Sequence, residues 1–434
     1  MPPGDPLQVK RLRAGRDWTG MPDVSFDNLL IISVIAVLAP LVAGTLPRLR
    51  IPAVVLEIVA GIVAGPTGFG WVRVDLPVQI LALLGLAFLL FLAGLEIDLM
   101  RLRGRPLAMA AGGYVVSLGL GLVVGGGLHT LGWVQQPLLI AVALSATSLG
   151  LVVPVLKDAG QGSSAAGQTA IAAATVADFA AIVVLSFFFS ASGGRSGAKV
   201  VLLIAFAALI GITAFVVIRA GRSMRVGDLL FRLQDTTAEI RVRLAVALLV
   251  AFVALATRFG LESILGAFLA GAVVSLVDRD SSSHPRFRTK LEAIGYGFVV
   301  PVFFVSSGIR LDLTGLMHSP GALARVPVFL VALLIVRGTP ALLTLRAIGG
   351  RATAAVALLQ ATSLPFLVTA TQIGLVLGKI SPVTAAAVVC AGLLSVLVFP
   401  PAALALLKGE SAGVAGSSRT PGTEGVQELI TGRS

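Results

Sequence analysis

The chain has 434 residues, of which 56% are hydrophobic and 12% are charged, and its mean hydropathy is +0.98. Soluble domains carry about 25% charged residues, so this composition excludes an ordinary soluble globular protein. The formal net charge of +12 does not indicate nucleic-acid binding, because the arginines lie mainly in short loops between apolar runs, where membrane topology accounts for them.

Apolar runs long enough to cross a hydrocarbon core about 30 Å thick follow one another along the chain. They predict an all-α polytopic membrane protein, with an N-terminal tail at 1–27, one transmembrane domain at 28–407 and a disordered cytoplasmic tail at 408–434. The thirteen predicted membrane segments are 28–46, 52–70, 75–98, 106–127, 136–157, 167–190, 198–219, 242–258, 262–278, 291–309, 322–345, 353–377 and 381–407.

Two short motifs return in the second half of the chain at nearly the same spacing. The sequence ATSLG at 146–150 is followed by ATSLP at 361–365, and GLEIDL at 94–99 is followed by GIRLDL at 308–313. The same shift places the first six segments on the last six and leaves 198–219 as a linker helix. We therefore predict two inverted repeats, at 28–190 and 242–407, an arrangement common in secondary transporters.

Lysine and arginine are abundant in the loops after odd-numbered segments and sparse after even-numbered ones. The positive-inside rule therefore predicts an N-terminus outside and a C-terminus in the cytoplasm, and we expect the protein to lie in the plasma membrane. The N-terminal tail is itself basic, but the many loops outweigh it. Its basic residues are Lys10, Arg11, Arg13 and Arg16.

Asp178 lies near the centre of the sixth segment. A carboxylate at that depth costs several kcal/mol unless it is protonated, paired or hydrated, and intramembrane acids are usually functional. Such a group can hold a proton or a metal ion, one at a time, so Asp178 is the predicted transient site for Na⁺ or K⁺. A neutral, hydrogen-bonded structural aspartate is the alternative.

The two ATSL motifs interrupt the apolar fifth and twelfth segments, which run antiparallel. We predict that both helices break there and cross near the midplane, so that helix ends of opposite polarity face each other. Hydroxyl and backbone oxygens at the breaks suit a small hard cation. The predicted ion-site residues, besides Asp178, are Thr147, Ser148, Thr362 and Ser363. The alternative is that the motifs are small-residue packing faces.

Three more embedded charges accompany Asp178. Arg337 lies well inside the eleventh segment, and we predict an ion pair with Glu262 or Asp178, the alternative being that it extends to an interface. Glu57 lies near an interface, and the sequence favours a structural or gating role and a transport role equally. Glu96 ends the third segment, where solvation is expected.

The motifs that carry chemistry in soluble enzymes are missing from the sequence: there is no phosphate-binding glycine loop, catalytic serine elbow or zinc signature. The single cysteine, Cys390, excludes an intrachain disulfide. The sequence therefore predicts a protein without a cofactor that is not an enzyme.

Several stretches resemble the monovalent cation/proton antiporter-2 superfamily, which includes Kef-type and bacterial sodium/proton exchangers. They are IPAVVLEIVAG at 51–61, FLAGLEID at 91–98, LSATS at 144–148, Ala177-Asp178, GAFLAG at 266–271 and PVFFVSSG at 301–308. The resemblance implies a thirteen-helix fold with crossed, broken helices, transport of H⁺ and a monovalent cation at Asp178, and a homodimer in the lipid bilayer.

Two departures from the superfamily pattern bear on stoichiometry. Ala177 stands where many members place Asp, Asn or Gln, and no lysine occurs between Leu291 and Ile309, where electrogenic members often carry one. One acid without a lysine counter-charge favours electroneutral exchange, one cation per proton. The alternative function is a symporter of organic anions on a similar inverted-repeat scaffold, with Arg337 as the only embedded basic residue for its pocket.

Overall fold

The computed structural model describes residues 25–45, 52–96, 104–189, 239–277, 285–318 and 320–417, together with isolated positions between 204 and 219. Within these ranges every regular element is helical, which confirms the predicted all-α class. Ten of the described helical stretches are long and apolar enough to cross a membrane, and two shorter apolar helices cover Ala53–Ala64 and Ser263–Leu276. These overlap every predicted segment except the linker helix at 198–219, which lies largely outside the described residues.

The first repeat contains seven helices because its fifth segment is divided. They are α1 Asp27–Thr45, α2 Ala53–Ala64, α3 Leu76–Leu95, α4 Arg105–Thr130, α5 Pro137–Ser145, α6 Leu149–Asp158 and α7 Ala165–Phe189. Local sequence explains several of the helix starts. Pro137 stands in the first turn of α5, where its missing N–H costs nothing. Asp75 caps α3 by accepting a hydrogen bond from the Val78 amide at 3.1 Å.

The second repeat begins with α8 Ile240–Arg258 and α9 Ser263–Val277. The tenth predicted segment of the chain is formed by α10 Pro285–Ile294 and α11 Val300–Ile309, which are joined by a π-helical turn at Gly295–Val299. Two short helices follow, α12 Leu313–Met317 and α13 Pro320–Leu323. The remaining helices are α14 Arg325–Leu333, α15 Leu345–Ile348, α16 Gly350–Ala361, α17 Pro365–Val376 and α18 Pro382–Ser417. The last helix continues past residue 407, the predicted end of the membrane domain.

The helices sort into two bundles, and each repeat contributes three segments to each. The first bundle contains α1–α3 and α8–α11, with its largest contacts between α3 and α9 and between α2 and α11. The second contains α4–α7 and α14–α18. Fewer residues join the bundles, mainly where α7 meets α9, and the short helix α12 packs on α18. At the former, the rings of Phe179 and Phe268 lie 5.8 Å apart.

Glycines allow the closest helix crossings of the first bundle. A Cβ atom at Gly94 would overlap the backbone of α9, and one at Gly271 would overlap the backbone of α3. Gly308 and Gly61 make the same reciprocal contact between α11 and α2. Gly94 and Gly308 are equivalent positions of the repeated GLEIDL and GIRLDL motifs. Both halves therefore need a glycine at this position for a close helix crossing.

We expect Gly94→Ala to destabilise the protein, because the added methyl meets backbone atoms that cannot rotate away; overpacking of this kind costs about 1–3 kcal/mol. The measurement is the melting temperature and the monodispersity of the purified protein in detergent. Gly112→Ala in α4 is the matched control, since no described atom lies within 4 Å of a Cβ there. Equal melting temperatures for the two variants would contradict the assigned packing role.

Candidate ion-binding site at the crossing of two broken helices

Both ATSL motifs interrupt their helices, as the sequence predicts. The chain is extended between α5 and α6 at Ala146, and between α16 and α17 at Thr362. The second break is followed by Pro365, which cannot donate a helical hydrogen bond and disfavours a helical conformation at Leu364. At the first break the hydroxyl side chains compete for backbone hydrogen bonds instead.

The two breaks contact each other directly. The Ser148 amide donates a hydrogen bond to the Thr362 carbonyl at 3.2 Å, and the Thr147 hydroxyl donates to the Gln360 carbonyl at 2.7 Å. Thr147, Ser148, Thr362 and Ser363 are all buried. The structure therefore brings four predicted site residues together at one crossing, with helix ends of both polarities around them.

Asp178 extends from α7 to the same crossing. Its Oδ2 atom accepts a hydrogen bond of 2.9 Å from the amide of Leu149, the first residue of α6. The carboxyl group thus lies at the positive N-terminal end of a half-helix, where negative charge is favoured. Asp178 is partly buried.

Arg337 lies fully buried beside the crossing, in a π-helical turn at Leu334–Gly338. Pro340 supplies no N–H, and the helix is 3₁₀-wound around it from Thr339 to Thr344. The Arg337 Nε atom donates to the Thr147 hydroxyl at 2.7 Å, and Nη1 donates to the Ser117 hydroxyl at 3.0 Å. Arg337 therefore ties α4 and the eleventh segment to the first break.

The ion pair predicted for Arg337 is not formed in the described part of the chain. Two of its nitrogens are bound to hydroxyls, while the Asp178 carboxylate is held by the α6 amide. Asp178 and Arg337 still interact electrostatically across the crossing. Glu262, just before α9, and Glu57, buried on α2, belong to the first bundle and make no described hydrogen bond to the crossing.

Sequence reasoning missed three contributors to the site. Ser117 and Tyr114 are buried in α4, and Gln360 supplies a carbonyl at the end of α16. Ser117 receives Arg337, and Tyr114 lies 3.4 Å from the Ser145 hydroxyl. The only signal for Ser117 is a hydroxyl within an apolar helix, which is too common to single out.

The expectation of a solvated Glu96 is corrected by the structure. Its Oε2 atom is buried and has no hydrogen-bond partner among the described residues. Glu96 interacts electrostatically with Lys157, Arg288, Glu292 and Asp178. The structure therefore places this carboxylate among charged residues of both bundles.

An all-helical polytopic membrane protein with inverted halves, two broken helices that cross and a carboxylate at the crossing has the architecture of a secondary transporter. The family model described as "Sodium/hydrogen exchanger, transmembrane" matches residues 33–408. The chain belongs to this family. The match confirms the predicted relationship to cation/proton antiporters and a transporter rather than an enzyme.

Curated relatives have antiporter names. The chain is 33% identical over 377 residues to "Putative Na(+)/H(+) antiporter YjbQ" of Bacillus subtilis (strain 168), an alignment that spans 83% of this chain but 60% of that protein. It is 30% identical over 271 residues to a Na⁺/H⁺ antiporter of Enterococcus hirae, covering 62% of this chain and 69% of the relative. It is 28% identical over 306 residues to the Na⁺/H⁺-K⁺ antiporter GerN of Bacillus cereus, covering 68% and 74%.

Among solved structures, the fold matches the sodium proton antiporter MjNhaP1 of Methanocaldococcus jannaschii at pH 8, with a TM-score of 0.60 and 17% sequence identity. The match covers 87% of this chain and 97% of that chain. At this identity the likeness concerns the fold alone, and it confirms the predicted antiporter-like architecture.

Proposed function

We propose that the protein exchanges a monovalent cation, Na⁺ or K⁺, for H⁺ across the plasma membrane, and that Asp178 binds the two ions alternately. The observation that carries this proposal is the Asp178 carboxylate on the α6 N-terminus, at the point where the two breaks touch. Family membership and the antiporter names of the relatives support it. The loop charges favour an N-terminus outside the cell.

The proposed coupling is competition for one carboxyl group. When Asp178 is ionised, it supplies the charge for the cation, and Ser148, Thr362 and Ser363 surround the crossing with neutral oxygens. When Asp178 is protonated, the cation has no counter-charge and leaves. The Thr147 hydroxyl oxygen is already engaged by Arg337 and the Gln360 carbonyl, so we assign Thr147 to holding the crossing together rather than to ion coordination.

The two-bundle architecture supports alternating access. Asp178 and both breaks belong to the second bundle, so this bundle can carry the ion past the first. A pocket lies between the bundles where the end of α11 meets α17 and α18, lined in part by Ser307, Asp312, Thr371 and Gln372. Such a seam, with few contacts across it, allows the bundles to slide without breaking their own cores.

We propose electroneutral exchange, one cation for each proton. Among the described residues, Asp178 is the acid that is hydrogen-bonded at the crossing, and Arg337 is the basic residue that interacts with it electrostatically. Arginine stays protonated at any physiological pH, so it does not add a second exchangeable proton. During a cycle, only Asp178 then exchanges a bound proton for a bound cation.

The test is a cation series in proteoliposomes that contain a pH-sensitive dye. We expect added Na⁺ or K⁺ to dissipate an acid-inside pH gradient, at a rate that an imposed membrane potential does not change. A rate that follows the potential would contradict electroneutrality, and no response to any alkali cation would contradict the exchange itself. Organic acids provide the control for the symporter alternative.

A further inference from the structure

Ser395 on α18 holds the second break in the way that Asp178 holds the first. The buried Ser395 hydroxyl accepts a hydrogen bond of 3.2 Å from the amide of Ser363 and lies 2.7 Å from the Gly392 carbonyl, to which it donates. Ser363 directly precedes Leu364 and the α17 helix. Ser395 therefore satisfies a backbone donor at the start of the second half-helix.

The two contacts occupy similar but not identical places in the inverted repeats. In each repeat, the last helix provides the side chain and the broken helix before it provides the amide. Asp178 lies 29 residues after Leu149, and Ser395 lies 32 residues after Ser363. The spacing of the ATSL motifs places Leu149 on Leu364 and Asp178 on Leu393, so the second contact uses an amide one residue earlier and a side chain two residues later.

We propose that Ser395 is a positioning residue that fixes the start of α17 and thereby sets the preference of the crossing among alkali cations. This inference rests on the proposed function. A serine hydroxyl does not ionise near neutral pH, so its contact with the Ser363 amide is the same whether Asp178 carries a proton or a cation. The backbone at the second break then keeps the same contact throughout the cycle, whereas the charge at the first break changes.

Ser363 connects this contact with cation recognition. Its Oγ atom is fully buried and has no hydrogen-bond partner among the described residues, so an oxygen ligand is left free at the second break. The Ser395 contact fixes the backbone that carries it. Gly392 lets α18 approach, because a Cβ atom there would lie 3.0 Å from the Ser363 carbonyl. Cavity size and oxygen placement decide between cations that carry the same charge.

The experiment measures the apparent KM for Li⁺, Na⁺ and K⁺ and the pH profile of exchange in proteoliposomes for Ser395→Ala and Ser395→Thr. We expect Ser395→Ala to change the ratio of KM values between cations by about tenfold, the effect of losing one buried hydrogen bond, with the pH midpoint unchanged. Ser395→Thr, which retains the hydroxyl, restores the wild-type ratio in part.

Ser186→Ala is the matched control, since Ser186 is a fully buried serine on α7 whose hydroxyl has no described partner. An unchanged KM ratio in Ser395→Ala, or the same change in Ser186→Ala, would overturn the inference. If Ser395→Ala does not fold, Gly392→Ala displaces the same backbone, and the KM ratio is judged in the same way. Absence of exchange in the wild type would instead refute the proposed function.

Discussion

Asp178→Asn is expected to reduce cation–proton exchange to the level of protein-free liposomes while the protein remains folded. The asparagine carbonyl still accepts the hydrogen bond from the Leu149 amide, so the contact between α7 and α6 persists. The amide can neither release a proton nor supply a negative charge to a cation. The measurement is the dye-reported exchange rate in proteoliposomes, together with the melting temperature in detergent, which we expect to be unchanged or higher because a charge at membrane depth is costly.

Matched controls separate the carboxyl chemistry from general damage to embedded acids. Glu57→Gln and Glu262→Gln remove acids of the first bundle that make no described hydrogen bond to the crossing, and we expect exchange to continue in both. Asp178→Glu keeps a titratable group that is one methylene longer and is expected to keep partial activity with a higher apparent KM. If Asp178→Asn exchanges ions as fast as the wild type, the assignment of Asp178 is wrong.

The sequence predicts the crossing well because its signals are local and duplicated. A polar tetrapeptide within an apolar run is costly in a membrane unless the chain breaks there, and the recurrence of ATSL in the second half makes coincidence improbable. The same logic places Asp178, which is a single charge in a long apolar helix. Both predictions need only the chain itself and the solvent properties of the bilayer.

The partners of Arg337 were not predictable in this way. Charge balance favoured an acid, but the structure supplies hydroxyls from Thr147 and Ser117, which lie 190 and 220 residues away in the chain. Hydroxyls are common in membrane helices, and nothing in the sequence records which of them face each other. The contacts depend on the π-helical turn at Leu334–Gly338, which changes the direction of the side chain relative to a regular helix.

Glu96 shows a second limit of sequence reasoning. A glutamate at the end of a predicted segment is normally solvated, and the sequence around it gave no reason to expect otherwise. The burial of its Oε2 atom and the nearby charges of Lys157 and Arg288 depend on helices that are distant in the sequence.

Arg337→Gln is expected to shift the pH dependence of exchange towards alkaline pH. Arg337 is a positive charge that interacts with Asp178, and its removal favours the uncharged, protonated carboxyl group. Cation binding then requires a lower proton concentration. The measurement is the exchange rate in proteoliposomes over a pH series at several cation concentrations.

Arg337→Lys separates the charge of this residue from its geometry. A lysine keeps the positive charge, so the pH midpoint stays close to that of the wild type. Its single ammonium group does not reproduce the planar fork that binds Thr147 and Ser117 at once. We therefore expect a lower maximal rate and a lower melting temperature, because a hydrogen bond to a charged donor contributes about 1.5–3 kcal/mol.

Arg325→Gln provides the control on the same membrane segment. Arg325 also donates to a hydroxyl, that of Thr384 at 2.8 Å, and its guanidinium lies 5.5 Å from the centroid of the Trp133 ring. It is not bonded to the crossing, so its loss is expected to lower stability without moving the pH midpoint. An equal alkaline shift in Arg325→Gln and Arg337→Gln, or none in Arg337→Gln, would show that Arg337 does not tune the charge on Asp178, and the guanidinium would then serve only to hold the broken helix in place.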